Sequence, residues 1–194
     1  MKSISRFTAV LLSACAFSSF ANANFMLSKS TPLIELGKTS KADIVTVLGE
    51  PDVKRSSLID GEQLEVLHYS YILADAEPAI TGAIATREQG FIFKDDVLVG
   101  KEYSSSAAAD STLFDLTKVK QVQQGLTQQE VEQIMGKAKS GYLPPLAANE
   151  KGYSWVYLAD QSQSEQPSSD LLVVEFNQLG VVTATQFSSV KTLD

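Results

Sequence analysis

The feature that most constrains the fold of this chain is an internal repeat. The segment Leu36–Gly49 reappears in outline as Gln124–Gly136, with one residue fewer. A short motif of this kind can occur once by chance, but its repetition with matching segments downstream is much less expected. The repeat therefore predicts a chain built from two units of the same design.

Each copy of the repeat predicts a short capped helix. Ser40 and Asp43 match Thr127 and Glu130, and each pair forms a capping box that satisfies free N–H groups at a helix start. Apolar side chains follow at the spacing of one helical face. They are Ile44, Val47 and Leu48 in the first copy, and Val131, Ile134 and Met135 in the second. The closing glycine of each copy is expected to end its helix in a left-handed conformation.

Strand patterns follow each predicted helix. The alternating or continuous apolar stretches are Leu67–Leu73, Phe91–Phe93 and Val97–Tyr103 in the first half, and Tyr153–Tyr157, Leu171–Phe176 and Val181–Phe187 in the second. A further helix is predicted over Asp115–Gln124, with a weaker counterpart around Leu33–Leu36. The fold class is therefore α+β, with two tandem helix-helix-antiparallel-sheet units in two layers. The units cover residues 24–104 and 113–194, and residues 105–112 form a linker.

The N-terminus has the three parts of a secretory signal peptide. Lys2 and Arg6 precede an uncharged apolar stretch, which is followed by the small-residue site Ala21–Ala23. Residues 1–23 are then a leader, and the mature protein is exported. The alternative is a lipobox at Leu12–Cys15, which would make residues 1–14 the leader and Cys15 a lipid-anchored first residue. The two alternatives place the protein in the periplasm as a soluble protein, or on the outer membrane as a lipoprotein.

Charge and cysteine content exclude several classes of function. Removal of residues 1–23 leaves 14 basic and 23 acidic residues, a net charge of −9. This sign argues against nucleic acid and against direct binding to an anionic membrane surface. Beyond the leader there is no apolar run long enough for a transmembrane segment. The only cysteine is Cys15, so the mature domain must be stabilised by its core rather than by disulfides.

Candidate catalytic residues are few. His68 is the only histidine and lies in a predicted strand, so it cannot form a zinc site with other histidines or cysteines. No nucleophile elbow or phosphate-binding loop is present. Asp95 and Asp96 lie together but in a predicted hairpin turn, which favours a solvated turn over acid–base chemistry. We therefore predict no catalytic residues, no metal and no cofactor, and a protein that is not an enzyme.

Aromatic residues recur at similar places in the two halves. In the strand alignment, Tyr69 and Tyr71 match Trp155 and Tyr157, and Tyr103 matches Phe187. These stripes form either the two cores or an exposed concave sheet surface that binds another protein, where aromatic residues dominate the energetics. The candidate interaction surface consists of Tyr69, Tyr71, Tyr103, Trp155, Tyr157 and Phe187.

The repeat and its strands resemble a known family. Asp115–Gly136, and more weakly Leu36–Asp52, resemble the BamE/SmpA/OmlA family of outer-membrane lipoproteins, and the tandem arrangement resembles the β-lactamase inhibitor protein (BLIP-like) fold. A BamE-type protein resembles one unit, whereas two are predicted here. The resemblance implies a non-enzymatic interaction module whose partner is another envelope protein, as an outer-membrane assembly accessory or scaffold. The alternative it implies is a periplasmic or secreted enzyme inhibitor.

Overall fold

The computed structural model of the protein describes residues 34–59, 61–160 and 168–191. The predicted leader and Cys15 lie outside these residues. The elements of the described residues, in chain order, are α1 (Lys41–Leu48), β1 (Val53–Ile59), β2 (Glu62–Ile72), β3 (Thr86–Lys94), β4 (Val97–Ser105), a 3₁₀ helix (Leu116–Gln121), α2 (Gln128–Met135), β5 (Ser140–Tyr142), β6 (Tyr153–Asp160), β7 (Ser168–Phe176) and β8 (Val182–Lys191).

Both predicted capping boxes are confirmed. At α1 the Ser40 N–H donates to Asp43 Oδ2 over 2.9 Å, and the Asp43 N–H donates back to Ser40 Oγ over 3.2 Å. At α2 the Thr127 N–H donates to Glu130 Oε2 over 2.7 Å, and the Glu130 N–H donates to Thr127 Oγ1 over 3.3 Å. Each box satisfies N–H groups that a helix cannot pair internally, which is why helices of only two turns begin at these residues.

The glycines that end the two helices differ in one respect from the prediction. Gly49 and Gly136 have φ of 84° and 83°, but their ψ values are −168° and 179°. This is not the left-handed helical region; it is a region that essentially only glycine enters. A side chain at either position would therefore strain the backbone at the helix end.

The prediction of two helix-helix-sheet units is wrong. The eight strands form a single antiparallel sheet in the order β1 to β8, so the halves do not form two separate sheets. The sheet crosses from one half to the other where β4 pairs with β5: Gly100 lies opposite Tyr142, and Lys101 opposite Gly141. Without β5, the outer N–H and C=O groups of β4 would be an open sheet edge.

The two predicted opening helices are not α-helices either. In the described part of the first one, Leu36–Lys38 is a turn. The second is the 3₁₀ helix over Leu116–Gln121. Its apolar residues Leu116, Val119 and Val122 follow one another only in steps of three, which fits the three residues per turn of a 3₁₀ helix. Within the described ranges, each half therefore contributes one α-helix and four strands, and the sheet dominates the fold.

Three apolar clusters lie on the two faces of the sheet. On one face, α1 packs on a cluster containing Phe91 and Phe93, and α2 packs on a second cluster containing Phe176. On the opposite face, one cluster extends from β2 to β7 and includes Leu146 and Ala147 from the β5–β6 connection. The core of this second face is therefore shared by both halves of the chain.

The segment predicted as a linker is built into the fold. Ser105, Ser106 and Ala107 are buried, and Ala107 forms a β-bridge with Pro78. The domain boundaries drawn on either side of this segment stay a prediction. No helix in the described ranges has the length and apolar character needed to cross a membrane.

Candidate interaction surfaces

The six aromatic residues predicted as an interaction surface all lie on the face of the sheet that carries the helices. The strand register places Tyr103 and Tyr69 on the same face, because Gln89 lies opposite both. In the second half, Phe187 lies opposite Leu172, whose side chain belongs to the cluster under α2. Side chains alternate between the faces of a strand, so this register determines which face each aromatic side chain occupies.

Two of these residues tie the sheet to the ends of the helices. The hydroxyl of Tyr69 donates to the carbonyl of Gly49 over 2.9 Å, and the hydroxyl of Tyr157 donates to the carbonyl of Gly136 over 2.8 Å. Burial raises the pKa of both hydroxyls, which keeps them protonated as donors. Tyr69 is therefore the counterpart of Tyr157, whereas the sequence alignment matched it with Trp155.

A third member, Tyr103, belongs to an internal polar network. Its hydroxyl donates to Asp110 Oδ2 over 2.6 Å, Ser105 donates to Oδ1 over 2.8 Å, and Arg87 Nε lies 2.8 Å from Oδ2. Burial opposes ionisation of Asp110, but these donors and the Arg87 charge hold the pKa of the carboxyl below its ordinary value. The network anchors the connection between the halves, so Tyr103 has a structural role.

The other three aromatic residues are more accessible, and they lie on separate strands. Tyr71 on β2 and Trp155 on β6 are half-buried, and the Trp155 ring packs edge-on against Phe176 with centroids 5.1 Å apart. Phe187 on β8 is 42% exposed. The structure therefore does not bring the six residues into one continuous patch, and Phe187 is the member best placed to meet a partner.

The face opposite the helices is not an open concave surface. Its apolar side chains, such as Val66, Ile92 and Val156, are buried. The β5–β6 connection fills this face: Leu146 lies so close to Gly100 that a Cβ there would come within 2.6 Å of Leu146 Cδ1. The connection therefore covers the middle of this face, whereas side chains nearer its ends, such as Ile72 and Val190, stay exposed.

Ionisable groups are enclosed on the same face, which sequence reasoning missed. His68 and Glu88 lie on neighbouring strands, with His68 Nε2 3.5 Å from Glu88 Oε2, and both are buried. Glu102 on β4 accepts a hydrogen bond from the buried Tyr142 hydroxyl. Burial raises the pKa of Glu102, while that hydrogen bond and the His68 charge act in the opposite direction. Only the strand register could have revealed this cluster, because the four residues are distant in sequence.

The buried cluster has the residue types of an acid–base site but not its accessibility. A general base must reach the proton of a substrate, and His68, Glu88 and Glu102 are each less than a tenth exposed. Among the described residues, no three His, Cys, Asp or Glu side chains converge as a metal site would require. The groups are buried side by side, and His68 Nε2 faces Glu88 Oε2 at 3.5 Å without a hydrogen bond.

Two cavities lie on the helix-bearing face, away from this cluster. A groove of about 470 Å³ separates α1 from β1 and β2, and its lining includes Lys41, Lys54 and Glu65. Lys41 Nζ lies 2.6 Å from Glu65 Oε1, and Lys54 Nζ lies 2.8 Å from Glu50 Oε2. Both ammonium groups therefore already form ion pairs within the protein. A second cavity of about 110 Å³ lies beside α2 and is lined by Tyr103, Lys139 and other residues. The lining of neither cavity includes a histidine.

The described residues therefore form a single antiparallel sheet with α1 and α2 packed on one face. Residues 111–186 match the family described as outer membrane protein assembly factor BamE domain. The match runs from before the 3₁₀ helix into β8 and confirms the resemblance predicted from Asp115–Gly136. The corresponding resemblance of Leu36–Asp52 stays a prediction.

Two further comparisons concern solved structures and curated proteins. The fold is similar to the crystal structure of a candidate β-lactamase inhibitor protein from Streptococcus mutans, with a TM-score of 0.45 and 10% identity, over 84% of this chain and 94% of that one. A likeness of this extent carries no functional information about this chain. No curated protein matches the sequence.

Proposed function

We propose that this protein is a non-enzymatic interaction module of the cell envelope that assists outer-membrane protein assembly. The observation that carries the proposal is the match of residues 111–186 to the BamE domain, which spans α2 and most of the second half of the sheet. The enclosed position of His68, Glu88 and Glu102 is consistent with a role in binding rather than catalysis. The partner is another envelope protein.

Site-specific photo-crosslinking in envelope extracts tests this proposal. Leu179 is 87% exposed and lies inside the matched region, whereas Leu58 is 74% exposed and lies outside it. A photo-reactive residue at position 179 should capture outer-membrane assembly proteins, and the same residue at position 58 should capture them far less. Capture of none of these proteins at either position would contradict the proposal.

The mode of envelope attachment is part of the same proposal. The −9 charge of the mature chain disfavours adsorption to anionic lipid, so any membrane attachment would come through acylation of Cys15. Mass spectrometry of the mature N-terminus distinguishes the two forms. An acylated Cys15 would make the protein an outer-membrane lipoprotein, and Asn24 as first residue would make it a soluble periplasmic protein.

The inhibitor alternative stays a prediction. It depended on an open concave sheet, and that face is filled by Leu146 and its neighbours. Mixing the purified protein with β-lactamases and envelope hydrolases tests it directly. Undiminished hydrolysis at micromolar concentrations of the protein would contradict the inhibitor alternative and leave the assembly proposal.

A further inference from the structure

The outer edge of β8, at one end of the sheet, differs from the edge at the other end in how few charged residues it carries. The only charged residue of β8 is Lys191 at its end, the strand has no proline, and several of its side chains are exposed on both faces of the sheet. Lysine, proline and other charged residues are the means by which proteins protect their edges from pairing with other strands. The opposite edge, β1, carries Lys54 and Arg55 in its first half. The two edges are therefore protected to very different degrees.

The start of the β8 edge is already occupied by the protein itself. The Gly125 N–H donates to the Val182 carbonyl over 2.9 Å, and the Val182 N–H donates to the Leu126 carbonyl over 2.8 Å. In the described part of the chain, β8 is otherwise paired only with β7. The free edge is thus residues 183–191, and its midpoint is Phe187.

The first half of the molecule shows what such an edge accepts. There Leu98 is bridged in the same way, with the Gly37 N–H donating to its carbonyl over 2.8 Å and its own N–H donating to Thr39 over 2.9 Å. Two residues further along, the same edge of β4 pairs with an antiparallel strand, β5. The corresponding part of β8 follows the same kind of bridge, and no strand of the described ranges pairs with it on that side.

We propose that the free edge of β8 pairs with β8 of a second copy of this chain, which joins two sheets into one. A two-fold axis normal to the sheet keeps the helix-bearing faces of both copies on the same side. Side chains that lie opposite each other must then be on the same face, so their residue numbers are both odd or both even. Centring the pair on the midpoint places Phe187 opposite Phe187 of the second copy and Gln186 opposite Ser188. No like charges face each other in this register, and an aromatic pair lies at its centre.

The alternative pairing within a pair of copies, β8 with β1, is disfavoured by charge and symmetry. Lys54 and Arg55 would lie on the pairing strand, and a head-to-tail contact of this kind leaves a free edge at each end. Such contacts build open chains of copies unless they close into a ring. Pairing of β8 with β8 closes at two copies. A strand pair of this length buries less surface than a standard interface, so we expect micromolar affinity.

Sedimentation equilibrium tests the proposal with two matched substitutions. The protein expressed from Asn24 onward, which lacks Cys15 and therefore any acyl chain, should be a dimer at roughly 100 μM. Phe187→Lys places two like charges at the axis and should weaken dimerisation at least about tenfold, whereas Leu58→Lys on the β1 edge should leave it unchanged. Circular dichroism confirms that each variant is folded. A monomeric parent protein, a dimer insensitive to Phe187→Lys, or a larger species equally sensitive to both substitutions would overturn the proposal.

Disulfide trapping tests the register without perturbing Phe187. In the same cysteine-free protein, an equimolar mixture of Gln186→Cys and Ser188→Cys should crosslink on oxidation, because these positions face each other across the axis. Either variant alone should crosslink far less, because each would then face an unsubstituted residue. Equal crosslinking of the mixture and of the single variants would contradict the register.

Discussion

At the scale of single residues, the most consequential side chain is Glu102, a buried carboxyl in the middle of the sheet. Burial raises its pKa above the ordinary value of 4.5, although the Tyr142 hydroxyl and the His68 charge oppose the rise. The folded protein therefore holds this proton more tightly than the unfolded chain does. It follows that the contribution of Glu102 to stability is largest at low pH and is lost as the pH rises through the raised folded-state value.

Glu102→Gln should remove this pH dependence, because glutamine keeps an acceptor for Tyr142 but does not ionise. We expect the free energy of unfolding to fall less between about pH 5 and about pH 8 in the variant than in the parent. Each unit by which the pKa is raised corresponds to about 1.4 kcal/mol. Urea titrations at the two pH values measure the difference. The exposed Glu150→Gln is the control, and a parent-like pH dependence in Glu102→Gln would contradict the prediction.

Tyr69 and Tyr157 make the same contact in the two halves, and equal losses are expected from their removal. Tyr69→Phe and Tyr157→Phe each delete a buried hydroxyl that satisfies a glycine carbonyl at a helix end. Each should lower the free energy of unfolding by about 0.5–1.5 kcal/mol. Urea denaturation measures both. If only one variant lost stability, the equivalence of the two tyrosines would be incorrect.

At the scale of elements, the β5–β6 connection packs directly on β4 because residue 100 is a glycine and leaves room for Leu146. A Cβ at Gly100 would approach Leu146 Cδ1 to 2.6 Å and Ile92 Cδ1 to 2.9 Å. Gly100→Ala should therefore displace the connection and cost about 1–3 kcal/mol of stability. Leu146→Ala alone should cost about 2–5 kcal/mol because it leaves a cavity.

The double variant Gly100→Ala/Leu146→Ala separates this packing effect from a general weakening of β4. Because the new methyl group would occupy space that Leu146 has vacated, the loss should be smaller than the sum of the two single losses. Chemical denaturation of all four proteins completes the cycle. Additive losses would mean that Leu146 does not pack on Gly100.

At the scale of the whole molecule, pairing of β4 with β5 and the shared cluster on the second face connect the two halves. Both features must break when either half unfolds. We therefore expect one cooperative unfolding transition rather than two.

Trp155 provides the test of cooperativity, because it is the only tryptophan and lies in the second half. Its fluorescence reports on β6, whereas far-ultraviolet circular dichroism reports on the whole sheet. The two signals should give the same urea midpoint. A fluorescence transition displaced from the circular dichroism transition would show that the halves unfold separately.

Sequence reasoning predicted the local elements well. The capping boxes at Ser40 and Thr127, the helices that follow them and the hairpin strands were all recognisable. Caps and hairpin turns depend on residues a few positions apart. The strands β1 and β5 were missed because β1 is polar and β5 has only three residues, so neither has an alternating apolar pattern.

The sequence by itself determined the two capped α-helices and the hairpin strands, since those signals are local hydrogen bonds and apolar periodicity. Only the tertiary structure decided that the strands form one sheet, that Tyr69 matches Tyr157, and that Glu102 lies beside Tyr142. These outcomes depend on strand register between distant segments, and many registers bury a similar apolar pattern. The choice among them comes from pairing the backbone groups of β4 and from filling the second face with Leu146, and neither is encoded within a single stretch of residues.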